Sequence, residues 1–294
     1  MRYNPFTFNI NPMEINMGTE LETVSNEFSM AIADDTASLI AMLGQDDTSQ
    51  SKAPSLSSLR INYDADTDDG ETLKRGTWKI YDGSSMVYAD EVFINPMLRT
   101  YEWSIYDQEE GAFTCRSVQR KKIQDAFPDN SGGMKCGRLS KKEEETLAQD
   151  DPRLLLSKSV SCNVILYGSV DIPNGKYADG SDAVLTNFPF VGYFKRSGFR
   201  PINDFPQQKL GNKIPLPTSY IKLSTKRMAN GGVTYWIPQP ELVKEVSFTA
   251  ERKEMMQKFM DTVAASNNKI LGEYKDASKQ NLTDEDADLS KRFG

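Results

Sequence analysis

The chain has 294 residues, with 35 Lys+Arg against 42 Asp+Glu, three Cys and no His. Without imidazole there is no Ser-His-Asp or Cys-His nucleophilic catalysis and no His-bound zinc, and three widely spaced Cys make no disulfide framework. Charge is segregated: residues 1–72 carry 3 basic and 13 acidic groups, 73–244 carry 24 and 19, and 245–294 carry 8 and 10.

In chain order, residues 1–18 are rich in Asn and Pro. Thr19-Glu20-Leu21-Glu22 reads as a capping box, and Leu21, Val24, Phe28, Ile32, Leu39 and Leu43 follow at helical spacing up to Gly44. A polar linker then runs to residue 58. From Leu59 the period changes to two. Leu59–Tyr63, Gly76–Tyr81, Val87–Ile94 and Leu98–Tyr106 alternate as strands, with turns expected at Asp82-Gly83 and Asn95-Pro96. A charged insertion with a loop at Gly132-Gly133 and one short helix is expected over 116–153. Val160–Gly168, Phe188–Phe194 and Tyr220–Thr225 resume the strands, and Asn230-Gly231-Gly232 turns the last of these into the hairpin strand Val233–Pro238. A long helix is expected from near Thr249, with Met256, Phe259, Met260, Val263, Ile270, Leu271 and Tyr274 on one face. The predicted class is mainly β (α+β). Its parts are an acidic arm (1–58), a β-rich core (59–248), a C-terminal helix (249–280) and an acidic tail (281–294).

No 18-residue apolar run is present, so no membrane span is expected, and the N-terminus lacks the pattern of a secretory signal. No GxxxxGK[ST] or GxGxxG stands in the chain, and the protein reads as a non-enzyme. Cys115, Cys136 and Cys162 lack the short pairing that presents two thiolates to one zinc ion, so neither metal nor cofactor is expected.

The middle region, where basic groups exceed acidic ones, also holds 20 of the 29 aromatic residues and all three Trp. Aromatic faces stack on bases while Arg and Lys meet phosphates, a combination suited to single-stranded nucleic acid. The candidate phosphate contacts are Lys79, Arg116, Arg120, Lys121, Lys122, Lys195, Arg196, Arg200, Lys226 and Arg227. The candidate stacking residues are Trp78, Tyr81, Tyr101, Trp103, Phe194, Phe199, Tyr235 and Trp236. Tyr193–Arg200 reads as a binding loop that exposes its rings. The competing reading stays open: one aromatic set is core and the cations are its solvated reverse.

This order of parts resembles bacteriophage single-stranded DNA-binding, helix-destabilising proteins. The resemblance lies in an N-terminal arm, strands rich in Lys, Trp and Tyr (Trp78 to Tyr106) and a Cys-bearing charged insertion (Cys115 to Cys162). The aromatic-basic segment Tyr193 to Arg200, a long C-terminal helix and an acidic tail complete it. It implies an OB-like antiparallel barrel and sequence-independent binding of single-stranded DNA in phage replication or recombination, in the host cytoplasm. The tail's own acids, Asp284, Glu285, Asp286 and Asp288, suit recruitment of basic replication proteins, with a capped last helical turn at Thr283 and Asp286 as the equal alternative, and self-association stays open. The His and paired Cys that bind metal in the T-even members are missing here. The alternative from another class is a virion structural or assembly protein.

Overall fold

The computed structural model describes residues 56–64, 74–107, 110–211 and 213–293, from 281 onward as helical backbone only. The helix expected from Thr19 and the linker through residue 55 lie outside the described residues.

The described chain is mainly antiparallel β-sheet with a long C-terminal helix. The strands are β1 (Ser57–Ser58), β2 (Arg60–Ile61), β3 (Trp78–Tyr81), β4 (Met86–Ala89), β5 (Val92–Asp107), β6 (Ala112–Arg116), β7 (Ser161–Lys176), β8 (Asp182–Lys195), β9 (Ser219–Asn230) and β10 (Val233–Glu245). The helices are α1 (Lys141–Glu144), α2 (Pro152–Ser159), α3 (Phe199–Gln208) and α4 (Ala250–Phe293). Hydrogen-bonded strands run in the order β10-β9-β5-β7-β4-β3-β2, with β6 on β5, β8 on β7, and β1 parallel to β8.

An open sheet therefore stands where a closed OB-like barrel was expected. The physical reason is the length of β5, which pairs with β9 at Val92–Ile94, with β7 from Phe93 to Ser104, and with β6 from Ser104 to Asp107. The β9–β10 hairpin extends this edge, and a single pair, Tyr88 with Lys176, joins β4 to β7. The turn expected at Asn95-Pro96 is absent because β5 absorbs Pro96 at a register shift between Pro96 and Leu98. The Asn95 side-chain amide instead donates to the carbonyls of Pro217 and Ser219, at 3.1 and 2.7 Å.

The register shift reverses which face of β5 meets the main core. Val92 and Ile94 enter the main core, and beyond the shift Tyr101 joins them, so the odd-numbered side chains now face inward. That core also holds Trp78, Ile80, Val164, Leu166, Phe190, Phe194 and Leu223. On the opposite face, Leu98, Ile165, Tyr167 and Val191 pack against Phe259 and Val263 of α4. Each such buried side chain contributes about 1.5–3 kcal/mol. The helix begins as expected: the Thr249 hydroxyl accepts the Arg252 N–H at 3.4 Å.

Other expectations hold locally. Gly231 and Gly232 both take positive φ, 54° and 84°, the conformation a two-residue hairpin loop needs. The short helix of the insertion is α1, where Ser140 and Glu143 form a reciprocal capping box. The segment Tyr193–Arg200 is not a loop. It closes β8, passes through a 3₁₀ turn at Arg196–Gly198 and starts α3. Ile202 and Phe205 are buried and Phe199 packs partly against the core, three positions at helical spacing that draw this segment onto the sheet. No helix among the described residues is long and apolar enough to cross a membrane.

Candidate nucleic-acid interface

Half of the predicted stacking residues belong to the interior. Trp78, Tyr101 and Phe194 are buried, with Trp78 edge-on to Phe194 at 6.3 Å and Tyr101 tilted over Phe199 at 6.4 Å. The Tyr101 hydroxyl donates to Asn203 at 2.8 Å, which fixes the ring from α3. Trp103 is half-buried against Phe127 at 6.5 Å, with the Lys135 ammonium over its ring. These rings have no open face for a base. Lys79 is also buried and its ammonium is engaged by the exposed Asp64 carboxylate.

The remaining positions lie at separate places. Tyr81 is 46% exposed beside the turn at Gly83. Arg120 donates to the Ala126 carbonyl at 3.0 Å, and Lys121 and Lys122 are exposed in the same segment. Arg196 and Arg200 are exposed on the 3₁₀ turn and the first turn of α3. Lys226 and Arg227 are exposed near the β9–β10 turn, with Tyr235 half-exposed. Trp236 lies flat against Gly76, where an added Cβ would come 2.1 Å from the indole nitrogen, and it meets Tyr63 edge-on at 5.9 Å. Only glycine admits that approach.

One face does bring rings and cations together, and the sequence reading missed most of it. Beyond the register shift, Glu102, Ser104 and Tyr106 share the β5 face opposite Tyr101 and Trp103. Tyr106 pairs across the ladder with Phe113, Ser104 with Arg116, and Asn163 with Lys195, while Tyr193 sits two residues before Lys195 on β8. Tyr106, Phe113 and Tyr193 are 42%, 43% and 39% exposed. Tyr106 and Phe113 meet edge-to-face at 5.2 Å, the Lys195 ammonium lies 5.3 Å from the Tyr106 ring centre, and the Arg116 guanidinium 5.0 Å from that of Phe113. The available signal was parity: an aromatic on the polar face of a strand has no core to join.

Beneath this patch Glu102 is fully buried and receives Arg116 through two hydrogen bonds, at 3.1 and 2.8 Å. Burial pushes the Glu102 carboxyl above its ordinary value, and Arg116 opposes that shift. The Arg116 guanidinium is correspondingly held more firmly protonated by Glu102, against the effect of its own burial. Gln119 ties the network together, accepting from Thr100 at 2.7 Å and from Tyr167 at 3.0 Å. Asn267 of α4 bonds the Gln119 backbone in both directions, at 2.6 and 3.0 Å. Burial lowers the Lys195 ammonium, as does the adjacent Arg196. The surface is thus a braced platform with three exposed rings, Tyr106, Phe113 and Tyr193, beside the cations Lys195 and Arg196.

Elsewhere, Cys115, Asp129 and Cys136 lie together inside the protein, their ligand atoms within 4.8 Å of one another. Cys162 is outside that group, opposite Trp103 on β7. No family model, curated protein or solved structure matches this chain.

Proposed function

We propose that the protein binds single-stranded DNA without sequence preference, in phage replication or recombination, and that the open end of the sheet is the binding face. The observation that supports this is the cluster of Tyr106, Phe113 and Tyr193, exposed beside Lys195 and Arg196 on one surface. Bases stack on the rings, which accept any base because every base has a π-face, and phosphates follow the cations. In this reading the curl from β8 through β1 and β2 to β3 takes the place of an OB-like barrel, and residues 281–294 serve as the contact for replication proteins.

Titration of fluorescent oligo-dT with the full chain tests the proposal. Binding should weaken with salt with a slope of about −0.7 in log K per neutralised phosphate. Tyr106→Ala combined with Phe113→Ala should remove most of the affinity with the fold intact. No binding at low salt would discard this function and leave the virion structural or assembly reading in its place.

A further inference from the structure

Strand β6 places Cys115 opposite Ile105, with its side chain turned inward. The 3₁₀ turn at Lys135–Gly137 lays Cys136 over the Trp103 carbonyl, to which its thiol donates at 3.3 Å. The two sulfurs and an Asp129 oxygen all lie within 4.8 Å of one another, and all three residues are buried.

A metal is disfavoured by what Asp129 already does. One carboxylate oxygen accepts the Ser131 N–H at 3.1 Å, the Ser131 hydroxyl at 2.6 Å and the Gly133 N–H at 3.1 Å. The other accepts the Cys136 N–H at 2.7 Å. This buried anion is satisfied by dipoles, and its bonds build the loop. Zinc held by protein alone takes four ligands, and among the described residues no fourth Cys, Asp or Glu joins the group. What remains chemically unspent is the pair of thiols.

We infer that Cys115 and Cys136 form an oxidisable dithiol that a small-molecule disulfide converts into an intramolecular cross-link between β6 and the 3₁₀ turn. The thiols differ in the way this chemistry needs. The neighbouring thiol of Cys136 pulls Cys115 below the ordinary thiol range, while Cys115, burial and Asp129 together raise Cys136, whose S–H donates to the Trp103 carbonyl. Access comes from the turn. Lys135 and Cys136 both occupy the left-handed region at φ 53°, a strained pair of non-glycine residues, between exposed Met134 and Gly137. When the turn opens, the Cys115 thiolate attacks the disulfide RSSR, forming a mixed disulfide and releasing RS⁻. Cys136 then loses its proton and attacks the Cys115 sulfur, releasing the second RS⁻. Two protein thiols and RSSR become one protein disulfide and two RSH. This inference does not depend on the nucleic-acid reading.

The test incubates the reduced full chain with 2-hydroxyethyl disulfide, quenches in acid and denaturant, and counts thiols. Of the three thiols in the chain, one should remain. The intact mass should fall by two hydrogens, and a non-reducing digest should link the peptides containing Cys115 and Cys136. Cys162→Ser should give the same cross-link with no thiol left. The oxidised protein should melt several degrees higher, because the cross-link restricts the unfolded chain. Three surviving thiols, a retained mercaptoethanol adduct, or a bridge that includes Cys162 would each overturn the inference. So would a stoichiometric metal in the reduced protein that shields both thiols.

Discussion

Trp78 and Tyr106 represent two aromatic populations built by one sheet, and the contrast between them separates stability from recognition. On one face Trp78, Tyr101 and Phe194 lock into the interior among aliphatic side chains. On the other, Tyr106, Phe113 and Tyr193 stay at the surface next to cations, above the buried Glu102–Arg116 pair. The residues are chemically alike. What sorts them is which side of its strand each occupies, and within β5 that side is set by the register shift at Pro96. The same residue type therefore carries packing energy on one face and leaves a ring available on the other.

The contrast can be broken most forcefully from the inside. Trp78→Ala should cost about 3–5 kcal/mol of folding stability, the range for truncating a large buried aromatic. Chemical denaturation measures it, and DNA affinity at temperatures where the variant is folded should be unchanged. A loss of affinity in the folded variant would move Trp78 into the binding surface.

Next in size is the brace. Arg116→Met leaves Glu102 buried without its partner and should cost about 3 kcal/mol near pH 7. The pH dependence has a definite sign. A carboxyl whose folded pKa lies above its unfolded value binds more protons in the native state, so stability falls as pH rises through that window. Removing Arg116 raises the folded pKa further. The variant's penalty should therefore shrink as pH falls through the carboxylate range and be largest above it. Urea titrations at pH 4 and pH 7 read this directly, and an equal penalty at both would mean that Arg116 acts by packing alone.

The outer population is tested by single substitutions. Tyr106→Ala or Phe113→Ala should each cost roughly 1–3 kcal/mol in oligo-dT affinity if the ring stacks on a base, with little change in melting temperature. The reverse pattern, a lower melting temperature at unchanged affinity, would place these rings with Trp78. Phe199→Ala should follow the Trp78 pattern in weaker form, since its ring packs partly against the core.

The smallest effect is expected from the C-terminus. Residues 281–294 carry Asp284, Glu285, Asp286 and Asp288 against Lys291 and Arg292. Their deletion should tighten DNA binding a few-fold at low salt, and the gain should fade as salt screens the competition. Fluorescence titration of the truncated chain at two salt concentrations checks it. Identical affinities at low salt would exclude the segment as a competitor for the basic surface.

Much of the architecture was legible from periodicity. Alternation located most strands, Gly231-Gly232 located the hairpin, and the apolar stripe from Met256 to Ile270 located the helix that packs on the sheet. Two elements were hidden for identifiable reasons. Helix α3 carries Pro201 and Pro206, and its Phe199-Ile202-Phe205 face follows a cluster of cations that reads as loop. Strand β5 continues through Asn95-Pro96, an ordinary turn signal, because a bulge accommodates the proline. The site was less legible than the fold. Alternation shows that Tyr101 and Tyr106 lie on opposite faces, but which face is interior depends on a one-residue shift and on where α4 docks. Lys195 and Arg196 stand out in the composition as cations beside rings, whereas the pairing of Arg116 with buried Glu102 is a contact across strands that no local pattern announces.

Strand β10, at the end of the strand order, has a consequence for the behaviour of the protein in concentrated solution. A terminal strand of thirteen residues is a template on which another chain's strand can grow into aggregates. Its ladder with β9 runs without a register shift from Val233 to Leu242, through both Pro238 and Pro240. Two prolines two residues apart in an unbroken ladder turn their nitrogens away from the partner strand, toward the outer rim. That rim lacks two consecutive outward donors at its centre, so an incoming strand finds a gap where it would need hydrogen bonds. Replacing both prolines should restore the donors and turn a quiet edge into an adhesive one.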